Sequence, residues 1–303
     1  MNLRALFFSY GRKESPLQRL LWLMYTTTFY IRLVSPILTA SLKLDLPRWI
    51  RAFVIAAMPV QNEGKVMQAR RQKVGKSALV DLNEKGYADI TSIVGITSDE
   101  IAEVKKYFLS SEVAYDSQVP IWSSLIPRRV SDLTKLDSVS YISFPIDYSL
   151  GSKVVRRIAS SSALKDISTS YLGFSGSLYG VNTMLTKQCE IPHGVTNLHR
   201  DYDDFLFLTF FIYWTETTKE NGATYFVPGS HLNNVGTEGI YLEGRAGSVF
   251  AVDSYGLHAG NKFIQSERLV TWIRYGRIPN VAYVTDKAYL FSKELEAMPD
   301  GVA

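Results

Sequence analysis

The sequence predicts an α+β protein whose core is a double-sheet jelly roll, with helices packed outside it and a helical extension at the N-terminus. Two observations carry this prediction. From Ser177 onward, short runs rich in aromatic and β-branched residues follow one another, separated by glycine, asparagine and proline. Helical signals dominate the chain before Ser177, and 303 residues that are 46% hydrophobic can bury a full core.

The composition limits the classes of partner. The net charge of +4 is the balance of 33 basic and 29 acidic residues, without the long basic block that follows a phosphate backbone. We therefore expect no nucleic-acid partner. A single cysteine, Cys189, excludes an intrachain disulfide and is typical of a reducing compartment, so we expect a cytoplasmic protein.

Residues 1–76 are predicted to form the N-terminal helical extension and its connector, and residues 77–303 the jelly-roll domain. From Leu20 to Leu42 the only charged residue is Arg32, and Pro36 interrupts the run. The stretch is long enough to span a membrane, but a central arginine and a proline both disfavour a spanning helix.

Two other interpretations of this apolar stretch remain open. In the first, a pair of helices packs on the outside of the core. In the second, the stretch is a lid over a hydrophobic substrate or lies on a membrane surface, and Arg32, Arg48 and Arg51 face water or anionic head groups. The packed helices would supply these core contacts: Leu21, Leu23, Met24, Phe29 and Ile31.

A basic stretch from Gln68 to Lys76 follows the apolar one. It contains Arg70, Arg71 and Lys73, and only Val74 is clearly apolar. An anion-binding patch is one interpretation, but a charge run of this size is typical of a solvated connector. We therefore place the domain boundary after Lys76.

The elements between the connector and the β-rich half are mainly helical. Gly86 and Tyr87 open a short strand, and Thr97 with Glu100 forms a capping box that predicts a helix over Ile101 to Leu109. A second helical region is predicted from Leu150 to Leu172, with a break near residues 160–162. The aromatic stretch from Tyr141 to Tyr148 is interpreted as core, with a pocket wall or lid as the alternative.

The β-rich half contains the short apolar runs that define the predicted jelly roll. Each run has the length and residue types of a strand, and turn-forming residues separate it from the next. The predicted strands are Leu178 to Thr186, Phe205 to Trp214, Thr224 to Val227, Gly239 to Leu242, Ser248 to Val252 and Arg268 to Tyr275.

Three side chains in this half form the strongest chemical pattern. His199 and Asp201 are two residues apart in an extended segment, so they project from the same side of it. His258 follows 57 residues after Asp201, which is enough chain for several strands to bring the two segments side by side. Two imidazoles and one carboxylate on one face of a metal are the ligands of non-heme Fe(II) oxygenases, and they leave positions open for co-substrate and oxygen.

Each of these residues also has a structural interpretation. His199 and Asp201 could be a surface pair after a strand, and His258, in an apolar stretch, could be a core histidine. Their occurrence together favours a metal site. His231 follows Pro228-Gly-Ser230, and we expect it to serve the turn or to support the ligands rather than to bind the metal.

Further motifs accompany the three residues in a fixed order. They are His199-Arg-Asp201, Glu220-Asn-Gly222, Val227-Pro-Gly-Ser-His231, Gly247, Asp253, His258, Asn261 and Arg268. This ordered set resembles the phytanoyl-CoA dioxygenase family of Fe(II)- and 2-oxoglutarate-dependent oxygenases. The resemblance is strong from about Leu178 to Gly276, and Gly86-Tyr87 with the helix after it resembles the family's usual beginning. The region up to Lys76 lies outside it.

The resemblance implies a cupin-like double-stranded β-helix and a metal-dependent oxidation. Fe(II) would bind His199, Asp201 and His258, with 2-oxoglutarate as co-substrate, molecular oxygen as the second reactant and a small molecule as substrate. Halogenases similar to this family have a small residue in place of the carboxylate, so Asp201 favours hydroxylation.

Arg268, ten residues after His258, is the expected anchor for 2-oxoglutarate. A guanidinium at that depth can hold the distal carboxylate of the keto acid through two parallel hydrogen bonds. Arg274 has the same strand parity and is the alternative anchor. Arg268 is favoured because its offset from His258 resembles that of the family's arginine.

The sequence does not name the substrate. The apolar stretches favour a small or lipid-like organic molecule, and the sequence contains no CoA-binding signature. Two other classes remain as alternatives: a catalytically inactive jelly-roll binding protein, and a membrane-associated interaction protein with peripheral membrane contact through the N-terminal region.

Overall fold

The structure is a computed structural model that describes residues 50–51, 76–112, 115–116, 129–135, 141–144, 146–187, 197–233, 236, 238–260 and 266–276. Residues Ile50 and Arg51 are helical. From Lys76 onward the helices are α1 (Lys76–Lys85), α2 (Thr91–Val94), α3 (Ser98–Leu109), α4 (Val130–Leu133), α5 (Ile146–Gly151), α6 (Lys153–Ala159) and α7 (Ser162–Leu172). A 3-10 turn occupies Ser230–Leu232.

The strands form two antiparallel sheets. They are β1 (Tyr87–Asp89), β2 (Tyr115–Asp116), β3 (Tyr141–Phe144), β4 (Ser177–Thr186), β5 (Phe207–Tyr213), β6 (Thr224–Phe226), β7 (Ile240–Leu242), β8 (Val249–Val252), β9 (His258–Ala259) and β10 (Arg268–Gly276). The larger sheet has the order β1-β8-β5-β10-β4-β3-β2, and the smaller has the order β7-β6-β9. His199 adds a bridge to His258 on β9. This double-sheet arrangement confirms the predicted jelly roll.

Strand β10 shows how the larger sheet separates its two faces. Val270 and Trp272 pack in a cluster between the sheets, whereas Leu269, Ile273 and Tyr275 pack in the core beneath the helices. Because side chains alternate along a strand, Arg268 and Arg274 on β10 also face the interior of the jelly roll. The cluster between the sheets also contains Met184, Phe211, Tyr213, Phe226, Leu242, Phe250 and Val252.

The helices cover the other face of the larger sheet. Helix α7 buries Leu164 and Ile167 there, and its N-cap Ser161 accepts a hydrogen bond from the Leu164 amide. Ser161 begins a new helix after α6, which is the predicted break. The capping box of α3 is also confirmed, because the Thr97 and Glu100 side chains bond to each other's backbone amides.

The predicted strands of the β-rich half are confirmed to within about two residues at each end. The stretch from Tyr141 to Tyr148 forms β3 and part of α5, and Ile142 and Phe144 are buried in the core. The interpretation as core is therefore confirmed for Ile142 and Phe144. Its position follows from the pairing of β3 with β4, which places Ile142 opposite Leu185.

One alternative interpretation of the N-terminal region is wrong in its placement of Arg51. Arg51 does not face water or lipid head groups, because its side chain is 1% exposed and donates to the backbone carbonyls of Phe205 and His231. The apolar stretch from Leu20 to Leu42, the basic connector before Lys76, Cys189 and Asn261 lie outside the described residues. Within the described part of the chain, no helix combines the length and the hydropathy that crossing a membrane requires.

Candidate metal centre

The structure brings the three predicted metal ligands together. The two carboxylate oxygens of Asp201 lie 3.7 Å from the Nε2 atoms of His199 and His258, one oxygen facing each imidazole. One donor atom from each residue can be chosen so that all three lie within 4.8 Å of one another. This separation suits three ligands of a single ion, and two imidazoles with one carboxylate are the donor set that non-heme iron takes.

Backbone hydrogen bonds fix the positions of these residues. His199 and His258 each donate from the backbone amide to the other's carbonyl, at 2.9 Å in both directions. The Asp201 amide donates to the carbonyl of Ser254 at 2.9 Å. The two ligand-bearing segments are therefore held as a short antiparallel pair, as the separation in sequence predicted.

The imidazoles are oriented by the turns that precede them. Nδ1 of His199 lies 2.7 Å from the carbonyl oxygen of Asn197, and Nδ1 of His258 lies 2.9 Å from that of Gly256. A carbonyl can only accept, so each Nδ1 carries the proton and each Nε2 presents a lone pair toward Asp201. This is the tautomer that a metal needs, and it is set by groups behind the ligands.

Burial keeps one of the imidazoles neutral. Removal from water lowers the pKa of His258, and the charge of Asp201 opposes that effect only in part. A neutral imidazole is the form that binds a metal. The protein therefore presents His258 ready for a cation.

Arg274 determines the charge state of the carboxylate ligand. Burial alone would raise the pKa of Asp201, but Arg274, at 3.3 Å, and then the two histidines lower it below its usual value. The second guanidinium nitrogen of Arg274 lies 2.9 Å from Asp203. Arg274 therefore bridges two carboxylates and holds Asp201 ionised beside the imidazoles.

Asp203 and Tyr179 complete this charged group. The Tyr179 hydroxyl donates to Asp203 at 3.0 Å, and burial followed by the charge of Asp203 raises the pKa of Tyr179 well above its usual value. Burial also raises the pKa of Asp203, although Arg274 opposes it. Tyr179 reaches Asp203 from the position where the pairing of β4 with β10 shifts by one residue.

Arg268 lies at the other end of β10, buried on the inner face. Its side chain is 4% exposed and donates to the Thr224 hydroxyl at 3.1 Å, and its guanidinium carbon lies 5.2 Å from the centre of the Tyr213 ring. Its Nε has no hydrogen-bond partner, and no carboxylate of the described residues pairs with it. Burial lowers the pKa of this guanidinium. A buried cation without an anion is costly, so the site is suited to an anionic ligand.

His231 lies in the 3-10 turn, as its sequence position predicted, and is not part of the metal group. The Ser230 hydroxyl fixes this turn by donating to the Val227 carbonyl and accepting from the Leu257 amide. The His231 ring packs against Gly86, where φ is +87° and a Cβ atom would lie 2.6 Å from Nδ1. Glycine is required there on both counts.

The sequence analysis missed several residues of the site. Asp203, Tyr179 and Ser254 were not identified, and Arg274 was considered only as an alternative anchor for the keto acid. One signal was available, because Asp203 lies two residues after Asp201 and can share its side of an extended segment. The contacts of Tyr179 and Ser254 depend on the register between strands and had no signal in the sequence.

Comparison with known proteins shows which family model and which relatives this chain resembles. Residues 152–262, which include all three predicted metal ligands, match the family model described as Phytanoyl-CoA dioxygenase (PhyH). "Dioxygenase peniF" from Penicillium patulum is 37% identical over 65 residues, which cover 20% of this chain and 21% of that protein. The match thus spans about a fifth of the length of this curated relative.

Two solved structures share the fold. The non-heme alpha ketoglutarate dependent epimerase SnoN from nogalamycin biosynthesis is 19% identical, with a TM-score of 0.52 over 78% of this chain and 92% of that one. SnoN in complex with Fe3+, alpha ketoglutarate and nogalamycin RO is 18% identical, with a TM-score of 0.51 over 75% of this chain and 91% of that one. Residues 152–262 thus match the phytanoyl-CoA dioxygenase family model, and the two solved structures share the fold of this chain.

Proposed function

We propose that this protein is an Fe(II)- and 2-oxoglutarate-dependent dioxygenase that hydroxylates a small or lipid-like organic substrate. The observation that carries the proposal is the convergence of His199, Asp201 and His258, with both Nε2 atoms facing the carboxylate. Backbone acceptors behind both imidazoles fix the metal-binding tautomer, which a chance surface cluster would not need.

The residues of the chain would divide the work. His199, Asp201 and His258 would hold Fe(II), and the iron with 2-oxoglutarate and molecular oxygen supplies the oxidation of a substrate C–H bond. The protein orients the ligands and keeps Asp201 ionised through Arg274. The retained carboxylate of Asp201 favours hydroxylation over halogenation, as the family resemblance implies.

Arg268 is the residue that we assign to the distal carboxylate of 2-oxoglutarate. It is buried, its Nε has no hydrogen-bond partner, and no carboxylate of the described residues neutralises it. Arg274, the alternative anchor, already binds two carboxylates. An incoming dicarboxylate would gain more from the guanidinium without an acidic partner, because hydrogen bonds between charged groups are the strong ones.

The substrate would meet the inner face of the larger sheet beside these groups. Trp272 and Asn182 are cross-strand neighbours there, and Ser143 on β3 donates to Asn182 at 3.3 Å. A wall that is partly aromatic and partly polar suits an organic molecule with both kinds of surface.

Cytoplasmic location and peripheral membrane contact stay predictions. The apolar stretch on which the membrane contact rests lies outside the described residues.

The decisive experiment is an anaerobic titration of the metal-free full-length chain with Fe(II) and 2-oxoglutarate, recorded by visible absorption. We expect the weak charge-transfer band of the iron chelate in the wild type and none in His199→Ala. Arg268→Ala should need more 2-oxoglutarate to develop the band. Arg156→Ala is the matched control, because this arginine binds the carbonyl of Leu150 in the helical layer and should titrate like the wild type.

A folded wild type that develops no band would contradict the proposal. The alternative of a catalytically inactive jelly-roll binding protein makes a different prediction: the band forms, but addition of oxygen consumes no 2-oxoglutarate. Succinate release after oxygen is admitted therefore separates the two functions.

A further inference from the structure

Arg51 stands apart from the rest of the site in the sequence. It precedes the jelly-roll strands and lies well before the family match, which begins at residue 152. It is nevertheless among the largest fully buried side chains of the described residues. A buried guanidinium needs partners for its donors, so the contacts of Arg51 are informative about its role.

The Arg51 guanidinium joins three separate segments of the jelly roll. One nitrogen donates to the Phe205 carbonyl at 3.0 Å, and another donates to the His231 carbonyl at 2.6 Å. Its central carbon lies 3.6 Å from the centre of the Tyr255 ring, within the range of a cation–π interaction. These three residues belong to the segment after Asp201, the 3-10 turn and the turn before His258.

Tyr255 connects Arg51 to the metal ligands. Its carbonyl accepts a hydrogen bond at 2.6 Å from Arg200, the residue between the ligands His199 and Asp201. Arg200 also donates to the Ser230 carbonyl at 2.8 Å. The neighbour of Tyr255, Ser254, holds the Asp201 amide through its own carbonyl.

We infer that Arg51 is a positioning residue of the metal centre. This inference rests on the proposed function. Arg51 holds the turn at Tyr255 against the 3-10 turn and against the segment after Asp201. The Tyr255 turn then fixes the positions of His258 and Asp201. The planar guanidinium serves two carbonyls and a ring at once, which the single ammonium group of a lysine cannot do.

The first test uses hydrogen–deuterium exchange of the metal-free full-length chain. In Arg51→Ala we expect faster exchange in peptides that cover 199–205 and 253–258, with no change in helix α7. Arg156→Ala, which also removes an arginine that binds a backbone carbonyl, should leave both site peptides unchanged. Wild-type exchange at both site peptides in Arg51→Ala would overturn the inference without reference to any metal.

The second test measures Mn(II) affinity from the metal-induced rise in the melting temperature, with Mn(II) as a redox-stable substitute for Fe(II). Removal of a group behind metal ligands typically weakens metal binding about 10- to 100-fold, which we expect for Arg51→Ala. Arg51→Lys should lie between Arg51→Ala and the wild type, and it serves if the alanine variant does not fold. A merely structural arginine would lower the melting temperature equally with and without Mn(II).

The outcomes separate the inference from the proposed function. If the wild type binds Mn(II) and both Arg51 variants bind it with wild-type affinity, the inference is wrong and the metal centre stands. If the folded wild type binds neither Mn(II) nor Fe(II), the proposed function is wrong, and the positioning role is wrong with it.

Discussion

The two ends of strand β10 carry the same side chain in different electrostatic surroundings. Arg274 and Arg268 share a strand and its inner face, six residues apart. Arg274 lies against two carboxylates, one of them a predicted metal ligand. Arg268 is buried against a hydroxyl and an aromatic ring, with no acidic partner among the described residues.

The difference teaches that partners, rather than residue type or position on a face, decide what a buried arginine does. At the Arg274 end the protein balances its own charges, so the site is preorganised before any ligand arrives. At the Arg268 end no acidic group of the described residues neutralises the cation, which leaves it for a ligand. Buried charges are strongly destabilising when unpaired, so the second arrangement is expected only where a ligand completes it.

The largest effect is expected from Arg274→Leu. Removal of one partner of a buried ion pair leaves uncompensated charge, here on Asp201 and Asp203 together. We expect the metal-free protein to lose about 3 kcal/mol of unfolding free energy, at the lower end for buried pairs because Tyr179 still donates to Asp203. Urea unfolding monitored by tryptophan fluorescence measures this loss.

Two further measurements sharpen that result. Arg274→Lys, which keeps the positive charge, should recover part of the loss. Mn(II) should stabilise Arg274→Leu by more than it stabilises the wild type, because a bound cation replaces the missing charge beside Asp201. A leucine variant as stable as the wild type would show that this ion pair does not balance the charges of the site.

Arg268→Leu should have the opposite balance between stability and binding. We expect affinity for 2-oxoglutarate to fall about 100-fold, or roughly 2.8 kcal/mol, because charge-assisted hydrogen bonds to its distal carboxylate are lost. The unfolding free energy without the keto acid should change by less than about 1 kcal/mol, since leucine relieves the desolvation of a buried cation that no acidic group of the described residues pairs. Anaerobic titration of the iron-loaded protein and urea unfolding measure the two quantities.

The contrast between the two arginines is wrong if the effects of Arg268→Leu and Arg274→Leu are exchanged. Should Arg268→Leu lose several kcal/mol of stability and bind 2-oxoglutarate normally, Arg268 would be a structural residue. Arg274→Leu would then be the variant to test as the keto-acid anchor, as the sequence analysis had allowed.

The smallest effect is expected from Tyr179→Phe, and it depends on pH. Burial and the charge of Asp203 raise the pKa of Tyr179, so the folded state holds the phenolic proton more tightly than the unfolded state does. The stability that results is fully present below the pKa of tyrosine in the unfolded state, which is about 10. It is lost as the pH rises toward the higher pKa of Tyr179 in the folded state. We expect the unfolding free energy of the wild type to exceed that of Tyr179→Phe by about 1 to 2 kcal/mol near pH 8. Above about pH 10 this difference in unfolding free energy should be smaller.

Urea unfolding of both proteins at several pH values between about 8 and 10.5 tests this dependence. A gap that stays constant across the range would show that the pKa of Tyr179 is not raised in the folded state. A gap near zero at about pH 8 would show that the hydrogen bond to Asp203 adds nothing to the stability.

Much of the fold was predictable because its patterns are local. Runs rich in aromatic and β-branched residues mark β4, β5 and β10, and serine caps mark the helix break before α7. The sequence also predicted that His199, Asp201 and His258 would converge, because residues two apart share a side and a long separation allows strands to pair. These inferences need only spacing and residue type.

The tertiary structure decided which partners the arginine side chains have, which spacing in the sequence cannot predict. The parity of β10 placed Arg268 and Arg274 on one face and left both as candidate anchors, and only the folded position of Asp203 pairs one of them. Arg51 carried no signal at all, since its carbonyl and ring partners are 154 to 204 residues away.

The sequence by itself thus determined the jelly-roll class, the strand positions and the convergence of the three predicted metal ligands. The partners of the buried arginines were decided only by the tertiary structure. The physical reason is that a backbone carbonyl is present at every residue and has no signature in the sequence. Which carbonyls and carboxylates a long side chain can reach is fixed only when distant segments pack together.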